Sequence, residues 1–189
     1  MKFLDTLLGR SKPKQANLDA LFALPGAAIT LEAGAGLRPS GQAAVCFKPA
    51  SSQDFATTSA ELTELLSMAV KEAGSTLRVT DDQFGYRWVV IGDPELEDLV
   101  TSVHLVNSTL EEHGFGPQLL CSVFGFGSGD QRCHLVYLYK RGTFYPFAPR
   151  AGERRDNELE LRVRATLGTD LPVEPDLTRW FALWGIPVA

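Results

Sequence analysis

The chain has 189 residues, 44% of them hydrophobic and 22% charged, with a formal charge of −5. That length fits one domain with a buried core; the composition excludes wholesale disorder, and the acidic balance excludes a nucleic-acid footprint spread over the body. The charge is uneven, because Lys2, Arg10, Lys12 and Lys14 stand against Asp5 alone in residues 1–14, a net +3 that leaves −8 on the remainder. Such asymmetry points to an anionic surface met by the N-terminus. Cys46, Cys121 and Cys133 form no C-x-x-C pair, which reads as reduced, buried thiols in a cytosolic protein. No apolar run is expected to reach the length of a membrane span, and Asp5 and Thr6 interrupt what would be a secretory core.

In chain order, residues 2–9 read as a short helix with Phe3, Leu4, Leu7 and Leu8 on one side, broken by SKPKQ. A second short helix, with Asn17 as N-cap and Leu18, Leu21 and Phe22 as its apolar face, is expected to stop before Pro25 and Gly26. Residues 1–26 would thus be an amphipathic helical arm and 27–189 a single domain. Ala27–Glu32 reads as a strand, GAGLRPSG as a loop, and Ala43–Lys48 as the next strand. A helix follows over 54–73, with Leu62, Leu65, Leu66 and Ala69 at helical spacing. Strands 76–81 and 86–91 flank a turn at Phe84-Gly85. Pro94 opens the clearest helix, whose Leu96, Leu99, Val100, Val103, Val106 and Leu110 make one stripe ending at Gly114. Gln118–Phe124 and Cys133–Tyr139 read as strands around GFGSGD.

Strand 43–48 to strand 118–124 therefore has the order β-α-β-β-α-β of a ferredoxin-like split βαβ unit, with strands at 27–32 and 133–145 available to extend it. The fold class is α+β: two layers, a mainly antiparallel sheet with helices packed on one face. NELELRVRATLG alternates like a strand, yet its Glu158–Arg162 and Glu160–Arg164 pairs and its Gly168 stop favour a helix. Leu177, Trp180, Phe181 and Trp184 share one face of a last short helix.

No catalytic constellation emerges, so the chain reads as a non-enzyme. His104, His113 and His134 have no metal-ligand spacing, and Cys133 and His134 point to opposite faces of a strand. Gly34, Gly36 and Gly41 precede a strand, whereas a dinucleotide loop must open a helix. Ser128 lacks a nucleophile-elbow context, and Gly125, Gly127 and Gly129 suit a hairpin turn. No cofactor is expected. Asn107, inside the long helix's stripe, reads as a buried amide with structural partners.

LVYLYKRGTFYPFAPR leaves two readings open. One is an interior strand running into a rigid loop, favoured because both alternating faces are apolar or aromatic. The other is an anion patch of Lys140, Arg141, Arg150, Arg154 and Arg155, with Phe144 and Tyr145 as a stacking platform. The N-terminal segment is the second candidate contact: Phe3, Leu4, Leu7 and Leu8 entering a membrane or partner surface, with Arg10, Lys12 and Lys14 meeting its negative charge. The alternative is docking on the protein's own core.

MKFLDTLLGRSKPK, LDALFALPGAAITLEA, LEEHGFGPQLLCSV, YLYKRGTFYPFAP, GERRDN and LPVEPDLTRWFALWG together resemble the PspAB family, PspA-associated proteins of actinobacteria. The resemblance covers nearly the whole chain. It implies an accessory of the phage-shock envelope-stress response, partnered with PspA or another phage-shock component and associated with the HtpX protease. It carries no catalytic or ligand residues. The resulting expectation is a cytoplasmic adaptor, peripheral to the inner face of the membrane, working by protein or membrane-surface contact. The runner-up is a small-molecule sensor or enzyme with a pocket near the 140–155 loop.

Overall fold

A computed structural model describes residues 17–49, 53–72 and 74–189, with the backbone alone for 53–62. Six strands, β1 (Arg38–Phe47), β2 (Thr76–Asp81), β3 (Arg87–Gly92), β4 (Leu119–Ser128), β5 (Gln131–Leu138) and β6 (Thr143–Phe147), form one open sheet. Their order is β2-β3-β1-β4-β5-β6, and every neighbouring pair is antiparallel. Among the described residues four α-helices, α1 (Leu24–Ala35), α2 (Gln53–Glu72), α3 (Leu96–Leu110) and α4 (Asn157–Leu167), lie on one face. From β1 to β4 the chain runs β-α-β-β-α-β with spatial order β4-β1-β3-β2, the ferredoxin-like arrangement expected from the sequence. The hairpin β5–β6 extends it at the β4 edge.

The α3 stripe behaves as read: Leu96, Leu99, Val100, Val103, Val106 and Leu110 are all buried. Each such aliphatic side chain contributes roughly 1.5–3 kcal/mol by leaving water. Asn107 is fully buried among them and donates from Nδ2 to Val103 O and Ser122 Oγ, both at 2.9 Å, tying α3 to β4. The segment 157–167 is helical, capped by Asp156, whose carboxylate accepts the Leu159 N–H at 3.1 Å. In α2 the inward side chains are Leu66 and Val70, while Leu65, expected to face inward, is 56% exposed.

The expected strand at 27–32 is instead the body of α1. Pro25 sits in the first turn, where a missing N–H costs nothing, so it starts the helix and does not end the one before it. A 3-10 turn, Leu18–Ala23, leads straight into it. Leu18, Leu21, Leu24, Ala27, Ala28 and Leu31 recur at helical spacing and are buried in the core. Gly36 ends the helix at φ +68, its N–H bonding Glu32 O while Leu37 N–H bonds Leu31 O. The arm boundary expected at residue 26 therefore falls within a core helix. Leu18–Ala35 is also long and apolar enough, by length and composition, to cross a membrane, contrary to the expectation of no such run. Its buried leucines show that the stretch serves here as one of the core's helices.

β1 begins at Arg38, inside the expected GAGLRPSG loop, and Gly41 at φ +75 absorbs the register shift between Pro39 and Ala43. Gly125 and Gly127 lie within β4, so the hairpin turn narrows to Gly129-Asp130.

Both faces of the sheet are covered. Toward the helices point Ala43, Val45, Val89, Ile91, Phe124, Leu135 and Tyr137. On the opposite face Ala44, Cys46, Trp88, Val90, Cys121, Val123, Val136, Tyr145 and Phe147 make a second apolar layer with Trp180 and Val188. That second layer explains why β5 is apolar or aromatic on both alternating faces. Its cover is not the expected helix. Only Leu177–Arg179 forms a 3-10 turn, and the rest of 171–189 crosses the face as irregular chain. Phe144 N bonds Pro172 O and Glu174 N bonds Phe144 O, which covers the exposed edge of β6. Further on, Arg78 of β2 donates to Pro187 O at 2.9 Å, and Ala189 N donates to Gln42 Oε1 at 3.0 Å. The segment thus runs from one edge of the sheet to the other.

Candidate functional site

The two regions nominated by the sequence fare differently. Phe3, Leu4, Leu7, Leu8, Arg10, Lys12 and Lys14 lie outside the described residues. The 140–155 region is described, and most of its charge is spent inside the molecule. Arg141 grips the fully buried Glu174 carboxylate with Nε and, at 3.1 Å, Nη2. Arg150 pairs with Asp156 at 2.5 Å, and Arg155 with the buried Glu160 at 2.9 Å. Arg155 also lies 5.3 Å over the Phe147 ring and donates to Trp180 O, so one guanidinium joins β6, α4 and the covering segment. Lys140 and Arg154 are exposed.

Phe144 and Tyr145 are 0% and 1% exposed, so the expected stacking platform is core. Phe144 packs against Tyr137 with ring centroids 5.1 Å apart. Tyr145 turns to the other face, stacks on Trp180 and donates its hydroxyl to Phe181 O at 3.1 Å. The stretch is a hairpin of two strands, β5 and β6, where one strand and a loop were expected, and its Arg141 and Arg150 form ion pairs within the molecule.

The covering segment leaves a pocket of about 450 Å³ on the face opposite the helices. Its floor is a row of directly opposed residues across four strands, Trp88, Cys46, Cys121 and Leu138. Its rim carries Phe84 and Phe181, 65% and 55% exposed, so the floor is reached from solvent between two aromatic edges. Asp82 sits at the same rim and accepts from Phe84 N, Tyr86 N and the Trp88 indole at 2.8–2.9 Å. Burial would raise the Asp82 carboxyl, but these donors outweigh it and hold the group below the usual carboxylate range. A second depression, about 380 Å³, lies by the 149–159 loop between Arg132, Arg150 and Asp156. Among the described residues no cluster of three metal-ligating side chains occurs.

A third feature was missed from sequence because α1 was read as a strand. The outward side of the 18–35 run exposes Phe22 at 51% and Ile29 at 73%, with Gly26 and Ala33 also exposed on it. Phe22 packs on His104 of α3 with centroids 5.0 Å apart, and Leu105 beside it is 38% exposed. Amphipathic periodicity would have found this face only as an excess, since apolar residues occur on both sides of one helix.

The family model for PspA associated protein B matches residues 1–188. The chain belongs to the PspAB family. No curated protein and no solved structure matches it. The family's association with PspA gives the chain an accessory role linked to the phage-shock system.

Proposed function

We propose that the protein is a non-enzymatic adaptor that binds PspA in the cytoplasm, at the inner face of the membrane. The observation that carries this is the exposed apolar side of the 18–35 run, Phe22 and Ile29, directly following the apolar and cationic residues 1–14 in sequence. An uncovered apolar stripe on a helix fits the apolar face of a partner helix laid beside it. A protein partner is favoured over lipid because the remainder of the chain carries −8, which anionic headgroups repel. HtpX is the second candidate partner, and the same surface variants test it.

The test is binding of purified PspA to the full chain, to a chain lacking residues 1–14, and to a Phe22→Asp, Ile29→Asp variant. Loss in both variants supports the reading. Retention on anionic vesicles with no binding to PspA would replace it with a membrane-surface role. The sensor or enzyme alternative draws its support from the 450 Å³ pocket beside Tyr145 and from the smaller depression at the 149–159 loop. A small molecule co-purifying with the native protein would favour it.

A further inference from the structure

Cys46 of β1 and Cys121 of β4 are direct partners in an antiparallel ladder. Residues so opposed hold their Cα atoms about 4.5–5.5 Å apart and project their side chains to the same face. A disulfide needs Cα atoms about 4.4–6.8 Å apart, so the ladder already supplies the spacing. Both residues belong to the layer opposite the helices and both line the floor of the 450 Å³ pocket, while Cys133 belongs to the helix-side core. The register slips immediately after the pair, between Cys46 and Phe47, and Leu120 at that bulge also lines the pocket. Bulges bend a strand locally and are common beside reactive sites, because they re-aim side chains.

We infer that Cys46 and Cys121 form a dithiol–disulfide pair that exchanges with small disulfides entering the pocket. The Cys121 thiolate attacks one sulfur of a low-molecular-weight disulfide, RSSR, and a first thiol, RSH, leaves with a proton from solvent. Cys46 then gives up its proton and attacks the Cys121 sulfur of the mixed disulfide; the Cys46–Cys121 bond forms and a second RSH leaves. The two protein thiols lose two protons and two electrons, and one RSSR gains them to become two RSH.

Cys121 is the more exposed of the two, 6% against 3% for Cys46, so it meets the incoming disulfide first. The Cys46 thiol is pushed up, first by its hydrogen bond with Cys121, then by burial and by the negative charge of Asp82. A sulfur that keeps its proton is suited to the second, intramolecular step, where proximity replaces thiolate abundance. The same protonation makes exchange slow at neutral pH and faster in alkali.

The experiment uses the folded full chain, reduced and then equilibrated with bis(2-hydroxyethyl) disulfide over a range of pH. It is quenched in acid, alkylated in denaturant and read by intact mass and peptide mapping. Of the three cysteines, two should become protected from alkylation, with loss of two hydrogens, a Cys46–Cys121 cross-linked peptide, and reversal by dithiothreitol. Cys46→Ser should instead accumulate a 2-hydroxyethylthio mixed disulfide on Cys121. Three alkylatable thiols after equilibration of the wild-type chain would overturn the inference. So would a stable adduct on Cys121 with Cys46 still free, or a cross-link involving Cys133. The wild-type measurement stands on its own if the serine variant fails to fold, and it does not depend on binding to PspA.

Discussion

Arg141 encloses the carboxylate of Glu174 from the solvent side: Glu174 is fully buried, while the Arg141 side chain remains 40% exposed. Thr143 Oγ1 donates to the same carboxylate at 2.8 Å and Asp176 N at 3.2 Å, so the covering segment is pinned where it leaves the β6 edge. Burial pushes the Glu174 carboxyl up, but the Arg141, Thr143 and Asp176 donors more than reverse this and hold it below its ordinary 4.5. Arg141→Ala would strand that charge. Breaking a buried pair is destabilising because it leaves an uncompensated charge, and the exposure of Arg141 to solvent reduces the loss. Urea unfolding at pH 7 should show that loss, with a smaller one for Arg141→Ala combined with Glu174→Gln. The stabilisation is fully present above pH 4.5 and is lost as pH falls through the lowered folded value.

Gly125 marks the other end of the segment. A Cβ there would lie 2.3 Å from Ser40 Oγ, 2.4 Å from Ala189 O and 3.0 Å from Val188 Cγ1. Gly125→Val should therefore displace residues 188–189 from β4 while sparing the helix-side core, at a cost of about 1–3 kcal/mol. Limited proteolysis should detect faster cleavage within 181–189, with the far-ultraviolet circular dichroism unchanged.

His134 is 3% exposed, and burial together with the nearby Arg132 charge lowers its pKa from 6.5 to about 4. Between those values the unfolded chain binds a proton that the folded chain refuses. Stability should then fall as pH drops from 6.5 to about 4 and lose nothing further from this group below that. The integrated effect is about 3 kcal/mol. His134→Gln should flatten that part of the pH–stability curve, measured by denaturant midpoint at each pH.

Legibility in the sequence followed the locality of the forces. The α3 stripe and the Asp156-capped α4 were readable because their spacing and capping signals lie within a few residues. The β-α-β-β-α-β order followed from the same local signals, taken in succession. Region 24–35 was misread because Pro25 and Gly26 looked like a stop, although proline in a first turn starts a helix. Leu177, Trp180, Phe181 and Trp184 have helical spacing, yet anchors outside the segment, at Arg155 and Tyr145, hold it as irregular chain. The opposition of Cys46 to Cys121 depends on a bulged register between distant strands, which no local pattern encodes.

The proposed contact with PspA runs through residues 1–14 and the outward side of the 18–35 run. Its most direct test is the dissociation constant of purified PspA for the full chain, the chain lacking residues 1–14, and the Phe22→Asp, Ile29→Asp variant, each verified as folded. Contact through both surfaces predicts weakening of roughly tenfold or more in both altered chains, about 1.4 kcal/mol each. Equal affinities across all three proteins would contradict it.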